Sequence, residues 1–460
     1  MTHVAIIGAG PAGMTAAQAA ADAGARVTLI AAEPAGGRAG WSSLLPSKVL
    51  LSAADSRGVM QRASALGLSA VTGGEPMIEA LTRRMRALSQ SESQARADDL
   101  SLRGVQSLNG KAALDGGHRL RLISAEGPST DLEADVIVVA TGSVPIFPPK
   151  LKPDGKQVIG PRFVSQMRTL PSSLILVGGG TTGTEFVYAF NRLGVAVTWL
   201  VDEFGVLPPF ERAAVQILVA ALEHRGVVRV EGVAADSVAA NGDDVTVTLC
   251  DGRSFQAEMA FIAIGRRPDV LELNLDSVGL AVDPHRGIEV DGYMRTAVTH
   301  IYAAGDATGM PMTANKAMAQ GWIAGRHAAG ASVDPYRPGT IVEAVYTDPQ
   351  IAQVGLTEER ARERAGLVRV LRRGYRGLLK AVLLDETEGS MQLVADAEDG
   401  ILLGASAVGA HASDVLTPLA LGLRQGVRLE DLSALFPGHP GLSELGFAAV
   451  RMEASGRPVR

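Results

Sequence analysis

One pattern, present twice, constrains the fold more than anything else in the chain. "HVAIIGAGPAGMTAAQAA" is a short apolar run, then Gly8, Gly10 and Gly13 spaced Gly-x-Gly-x-x-Gly, then an alanine-rich segment. "LILVGGGTTGTEFVYAFNRLGVAVTWLVDE" repeats the pattern with Gly178, Gly180 and Gly183. Between a strand and a helix each glycine has a task. The first permits a tight turn, the second leaves room for a diphosphate, and the third lets the helix lie close against the strand. The helix N-terminus then points its free N–H groups at phosphate. Pro11 suits the first helical turn, where its missing N–H costs nothing. A parallel, doubly wound α/β sheet is predicted around each copy.

The two copies lie 170 residues apart. They imply two dinucleotides in one chain, most economically FAD in the first site and a nicotinamide in the second. Two further strand-to-glycine segments support this. "ADVIVVATGSVP" ends in Ala140-Thr141-Gly142, and "AEMAFIAIGRRPD" runs into Gly265-Arg266-Arg267-Pro268. "TAVTHIYAAGDATG" then brings Asp306 to a strand end, where a carboxylate can accept a hydrogen bond from a ribityl hydroxyl.

Composition sets the outer limits. A chain of 460 residues is too long for one core, so two to four domains are expected. Glycine at 53 residues and a 47% hydrophobic content fit a soluble α/β protein. Aromatics at 4% and a net charge of -6 argue against a nucleic-acid partner. The basic run Arg83-Arg84-Met85-Arg86 reads as a solvated helix face. No uncharged apolar run approaches the ~20 residues of a membrane span, and the start lacks the basic region of a signal peptide. A cytoplasmic location is expected, and no metal site is expected. Cys250, the one cysteine, closes "DVTVTLC" before Asp251-Gly252, a hairpin turn signal, and is expected in the core at a strand end.

The chain resembles the pyridine nucleotide-disulfide oxidoreductases of the dihydrolipoamide dehydrogenase, glutathione reductase and mercuric reductase type. The resemblance covers nearly its whole length. It includes the two glycine motifs, "GGRAGWSSLLPSKVLL", "AVYTDPQIAQVGLTEE" at 344–359 and "GHPGLSE" at 438–444. It implies two Rossmann-like nucleotide-binding domains followed by a C-terminal α+β dimerisation domain. The implied division is 1–150 and 270–338 for FAD, 151–269 for NAD and 339–460 for dimerisation. A homodimer follows from it.

The family motif is Gly-Gly-Thr-Cys, four residues, Cys, one residue, Pro-Ser-Lys. Here the cysteines fall at Ala39 and Leu44 and the threonine at Arg38, while Pro46, Ser47 and Lys48 keep register. Neither Ala nor Leu can carry electrons, so the dithiol relay is absent. By resemblance Lys48 pairs with Glu185 and places a positive charge where hydride arrives. His439 and Glu444 match the family's acid-base pair, which reaches the other subunit; without the thiol they are either an acid-base pair for another acceptor or an interface relic.

The resemblance also implies Gly37, Lys48, Ala140, Thr141, Gly142, Asp306, Met312, Thr313 and Ala314 in the FAD site, and Glu185 and Gly265 in the cofactor set. The family glutamate on the adenosine ribose falls at Ala31; Glu33 is the nearest replacement, with Arg38 a candidate phosphate contact. Thr181 stands where an aromatic often shields the flavin, and Asn315 where a histidine is usual. Trp41 either covers the flavin or packs under it. The strand "VTWLV" ends at Asp202-Glu203; the family glutamate position is Val201, so Asp202 is a shifted candidate for the NADH ribose hydroxyls. An acid there repels a 2′-phosphate, so NADH is favoured over NADPH.

Two readings follow. One is an NADH-dependent flavin reductase passing electrons straight to a small acceptor such as a quinone, with oxygen, a dye, a metal ion or a redox protein as other acceptors. The other is a non-catalytic or redox-sensing flavoprotein. A disulfide reductase using Cys250 fails, because that chemistry needs two thiols.

Overall fold

The computed structural model describes residues 1–69, 74–123 and 129–454, so the last six residues of the expected dimerisation domain lie outside the described residues. The first glycine pattern forms the expected unit: strand His3–Ile7, turn, helix Pro11–Asp22, strand Arg26–Ala31. The strand is buried along its whole length, as a central parallel strand must be. Around it lies a five-stranded sheet in the order Gln106–Asn109, Arg26–Ala31, His3–Ile7, Val136–Val139, Ile301–Ala303. Every pairing in it is parallel. The strand order reverses at His3–Ile7, and the crevice beyond its C-terminal end is where such sheets bind ligands.

The second pattern builds the same architecture. Strands Val228–Glu231, Ala196–Val201, Ser173–Val177, Met259–Ile262 and Val158–Ile159 form a parallel sheet, with helix Thr181–Arg192 after the glycines. In both units the third glycine sets the fit of helix to turn. A Cβ at Gly13 would lie 1.8 Å from the Gly8 carbonyl oxygen, and one at Gly183 2.2 Å from that of Gly178.

A short antiparallel pair, Ser143–Pro145 with Arg266–Pro268, joins the chain's exit from the first unit to its return from the second. Residues beyond 340 form an antiparallel sheet, Glu343–Val345, Gln350–Gly355, Leu402–Gly409, Ser390–Asp396 and Val368–Gly374 in spatial order. Helices Ala412–Gln425 and Glu444–Ala454 accompany it, and residues of both enter its core. No helix among the described residues is long and apolar enough to cross a membrane.

Arg83, Arg84 and Arg86 lie exposed on helix Ile78–Leu102 while Met85 is buried, as expected of a solvated helix face. Cys250 corrects the sequence expectation: it is exposed. Val245, Val247 and Leu249 take the buried phase of strand Asp244–Leu249, so the next residue falls on the outer phase, in the turn before Ser254–Ala257.

Candidate functional site

A cleft of about 1230 Å³ runs between the two glycine turns, with Val342, Glu343, Ala344 and Tyr346 also in its wall. Its wall includes Gly8, Gly10, Glu33, Gly37, Arg38, Ala140, Thr141, Gly142, Asp306, Met312, Thr313 and Ala314 from the first unit. From the second come Gly178, Gly180, Glu185, Asp202 and Gly265. Gly13 and Gly183 do not line it; they sit one layer back, in the helix–turn contacts described above.

Lys48 and Glu185 meet. Lys48 Nζ donates to Glu185 Oε1 at 2.6 Å, and the Glu185 side chain is only 7% exposed. The same oxygen accepts the Tyr346 N–H at 3.1 Å, and the ammonium stands 4.6 Å from the centre of the Tyr346 ring. Helix Leu44–Gln61, helix Thr181–Arg192 and the residue just after strand Glu343–Val345 thus supply one group each to a fixed cation in the cleft wall. Burial, then the Glu185 carboxylate, hold the Tyr346 phenol above its usual pKa. Sequence reasoning misses Tyr346 as a site residue, although "AVYTDPQ" carries part of the family resemblance; contact between a helix and a residue about 300 positions later has no local signature.

Ala39 and Leu44 both line this cleft, and Leu44 is 40% exposed. Trp41 does not line it; its indole N–H donates to the Ala35 carbonyl at 3.3 Å. Arg38 spans three groups. It pairs with Glu33 at 3.1 Å and with Asp269, and donates to the Ser143 carbonyl at 2.7 Å. Burial opposes its charge, but Asp269 and Glu33 outweigh it and raise the guanidinium pKa. Arg266 donates to Ser143 Oγ and to the Ser143 carbonyl, each at 2.8 Å. The Ser143 hydroxyl donates to Asp306. Burial lowers the Arg266 pKa and also that of Lys316, to about 8, with Asp306 opposing both.

The first-unit residues fit a flavin dinucleotide. A Cβ at Gly10 would meet nothing within 4 Å, so the helix start is open on that side. Thr141 Oγ1 and Thr313 Oγ1 are buried in the cleft wall without a hydrogen-bond partner among the described residues. Buried hydroxyls facing a cleft in this way are suited to a polar ligand. On the second unit, Asp202 is half-buried in the wall, whereas Glu203 is exposed and off it.

His439 and Glu444 also meet, but apart from the cleft. Glu444 straddles His439 Nδ1 at 3.1 and 3.2 Å and accepts the Gly441 N–H at 2.8 Å. Burial opposes the charge of Glu444; the Gly441 N–H and His439 overcome it and hold the carboxyl pKa low. The imidazole is 65% exposed on the surface of its own chain.

This architecture has known relatives. A family model for pyridine nucleotide-disulphide oxidoreductases matches residues 2–321, and one for the family's dimerisation domain matches residues 341–449. The chain is 32% identical to a protein of Mycobacterium tuberculosis named NAD(P)H dehydrogenase (quinone), covering 96% of this chain and 92% of that one. It is 33% identical to dihydrolipoyl dehydrogenase 2 of Haloarcula marismortui, covering 98% and 97%. The crystal structure of LpdA from Mycobacterium tuberculosis superposes with a TM-score of 0.93 at 32% identity, covering 98% of this chain and all of the other. Such relatives imply FAD and NAD(P)H as cofactors, and the single cysteine, Cys250, leaves no redox disulfide. Two nucleotide folds around one cleft, a matching C-terminal domain and this likeness over nearly the full length lead to one conclusion: the chain belongs to the pyridine nucleotide-disulphide oxidoreductase family, as a member without the redox cysteine pair.

Proposed function

We propose that the protein is an NADH oxidoreductase that passes electrons from FAD straight to a quinone. The observation that carries this reading is the cleft wall: Ala39 and Leu44 replace the two redox cysteines there, beside an intact Lys48–Glu185 pair. The Mycobacterium relative named NAD(P)H dehydrogenase (quinone) supports the acceptor class. Loss of the two thiols leaves an apolar acceptor face suited to a flat ring.

The chemistry that bound FAD would supply is acceptance of a hydride from the nicotinamide and donation of two electrons to the acceptor. The protein's share is binding, orientation and charge. Gly8 and Gly10 would hold the FAD diphosphate against a helix N-terminus that Gly13 lets lie close to the turn, with Thr141, Thr313 and Asp306 taking polar groups of the cofactor and Glu33 and Arg38 at the adenosine end. Gly178 and Gly180, with Gly183 behind them in the helix–turn contact, would do the same for NADH, with Asp202 on the ribose hydroxyls. Lys48, fixed by Glu185, would keep a positive charge where hydride arrives. In this reading residues 1–150 and 270–338 serve FAD, 151–269 serve NADH, and 339–460 make a homodimer. Quinone reduction consumes two electrons and two protons, of which NADH supplies one proton with its hydride. His439 of the partner subunit, oriented by Glu444, would deliver the other.

Anaerobic stopped-flow with the two half-reactions separated tests this. NADH is expected to bleach the flavin more readily than NADPH, and Asp202→Ala to narrow that preference. A benzoquinone is expected to reoxidise the reduced flavin fast enough to account for turnover. Reduced flavin that persists in benzoquinone would contradict the quinone assignment, and a flavin that NADH reduces but no acceptor reoxidises in turnover would favour a sensing role.

A further inference from the structure

The loop after strand Ala196–Val201 carries a side chain that the site described so far leaves unused. Phe204 is 73% exposed, yet it lines the cleft two residues beyond Asp202. Its loop is firmly built. Asp202 Oδ1 accepts the Phe204 N–H at 3.1 Å. Gly205 donates its N–H to the Asp202 carbonyl at 3.2 Å, and Leu207 donates to the Gly179 carbonyl at 2.8 Å. A Cβ at Gly179 would stand 2.5 Å from the Gly205 carbonyl oxygen, so loop and glycine turn are in backbone contact. Gly205 itself has φ +81°, a conformation an L side chain rarely adopts. Phe204 is therefore carried on a loop pinned against the second glycine turn, at the end of the strand that meets the adenosine ribose in folds of this kind.

We propose that Phe204 is the adenine platform of the dinucleotide site, its ring stacking on the base while Asp202 takes the ribose. The inference rests on assigning the second glycine turn to NADH. An aromatic face suits any purine, because every base has a π-face. Stacking on the remote AMP half is equally strong before and during hydride transfer, so it strengthens binding without changing the chemical step. The platform selects a nicotinamide adenine dinucleotide over a nicotinamide mononucleotide.

The test uses the native protein, Phe204→Ala and Phe204→Trp as holoenzymes with equal FAD content. Flavin reduction is followed anaerobically against the concentration of NADH and, separately, of reduced nicotinamide mononucleotide, which lacks the AMP half. Phe204→Ala is expected to raise the half-saturating NADH concentration about tenfold or more, the size of a lost base–aromatic stack. The limiting rate stays as in the native protein, Phe204→Trp restores tight binding, and the mononucleotide reacts alike with all three. An unchanged half-saturating NADH concentration in Phe204→Ala overturns the platform. Equal losses with both nucleotides overturn it too, since the ring would then be shaping the whole cleft. Native flavin that NADH does not reduce at all would overturn the NADH assignment first, and the platform with it.

Discussion

At the scale of single residues, Lys316, buried beside residues of the cleft wall but not lining it, shows how the fold holds charge at a cost. Its side chain is 3% exposed and donates to the Gly309 carbonyl at 2.6 Å, yet burial brings its amine from 10.5 to about 8. Between those pH values the unfolded chain keeps a proton that the folded chain has released, so stability rises with pH across the window. Below it the whole penalty, about 3 kcal/mol, is present. Lys316→Met has no such group to charge. Denaturant midpoints of both proteins from pH 7 to 10.5 are expected to shift in favour of the native protein by that amount; a constant gap would show that the amine is not displaced in this way. Not every site residue was legible at this scale. Lys48 and Glu185 were, because each stands beside a motif of fixed spacing. Tyr346 and Phe204 were not, because their places depend on a strand and a loop being brought to the cleft by the tertiary fold. The core expectation for Cys250 fails because Leu249 takes the buried phase of its strand, so the next position faces outward.

At the scale of elements, the two glycine units were legible in full, since strand, turn and helix are each specified by neighbouring residues. What lay beyond local reading was how helices from distant parts of the chain touch. Helix Ala314–Ala328 crosses helix Pro11–Asp22 at near backbone contact: a Cβ at Gly321 would lie 2.2 Å from the Ala12 carbonyl oxygen, and one at Gly325 2.3 Å from that of Ala16. The first helix is the one whose N-terminus faces the cleft, so this contact sets the phosphate site indirectly. Gly321→Ala is expected to cost about 1–3 kcal/mol through overpacking and to weaken FAD retention. Thermal unfolding together with the FAD-to-protein ratio after gel filtration measures both; normal values for both would mean the crossing is not critical. The pair Ser143–Pro145 and Arg266–Pro268 was likewise invisible in the sequence, because two short extended segments 120 residues apart carry no signal of their partnership.

At the scale of the whole molecule, three parts of the chain converge on Asp348, which pairs with Arg62 at 3.2 Å, Arg192 at 2.5 Å and Arg225 at 3.4 Å. That cluster ties the C-terminal sheet to both nucleotide units. Two further side chains stand exposed on the single chain. His439 is oriented by Glu444 but exposed on its own chain, and Phe436 nearby is 78% exposed. In a homodimer both would be covered and the imidazole would serve the other subunit's flavin. His439→Ala is then expected to slow quinone reduction by about 10²–10⁴-fold while sparing flavin reduction by NADH; Lys48→Ala should show the reverse order of damage. Stopped-flow of the two half-reactions separates them, with sedimentation confirming a dimer in each case. An oxidative half-reaction indifferent to His439→Ala would leave that pair as an interface relic.

Electrons are expected to leave the flavin without passing through thiols, and an anaerobic titration with dithionite, free of nucleotide, tests this most directly. With Ala39 and Leu44 in the cleft wall there is no thiolate beside the flavin to donate charge. One two-electron equivalent per FAD is expected to bleach the flavin completely, with no long-wavelength charge-transfer band at any stage. Uptake of four electrons per FAD, or the appearance of that band, would reveal a second redox centre and contradict the account.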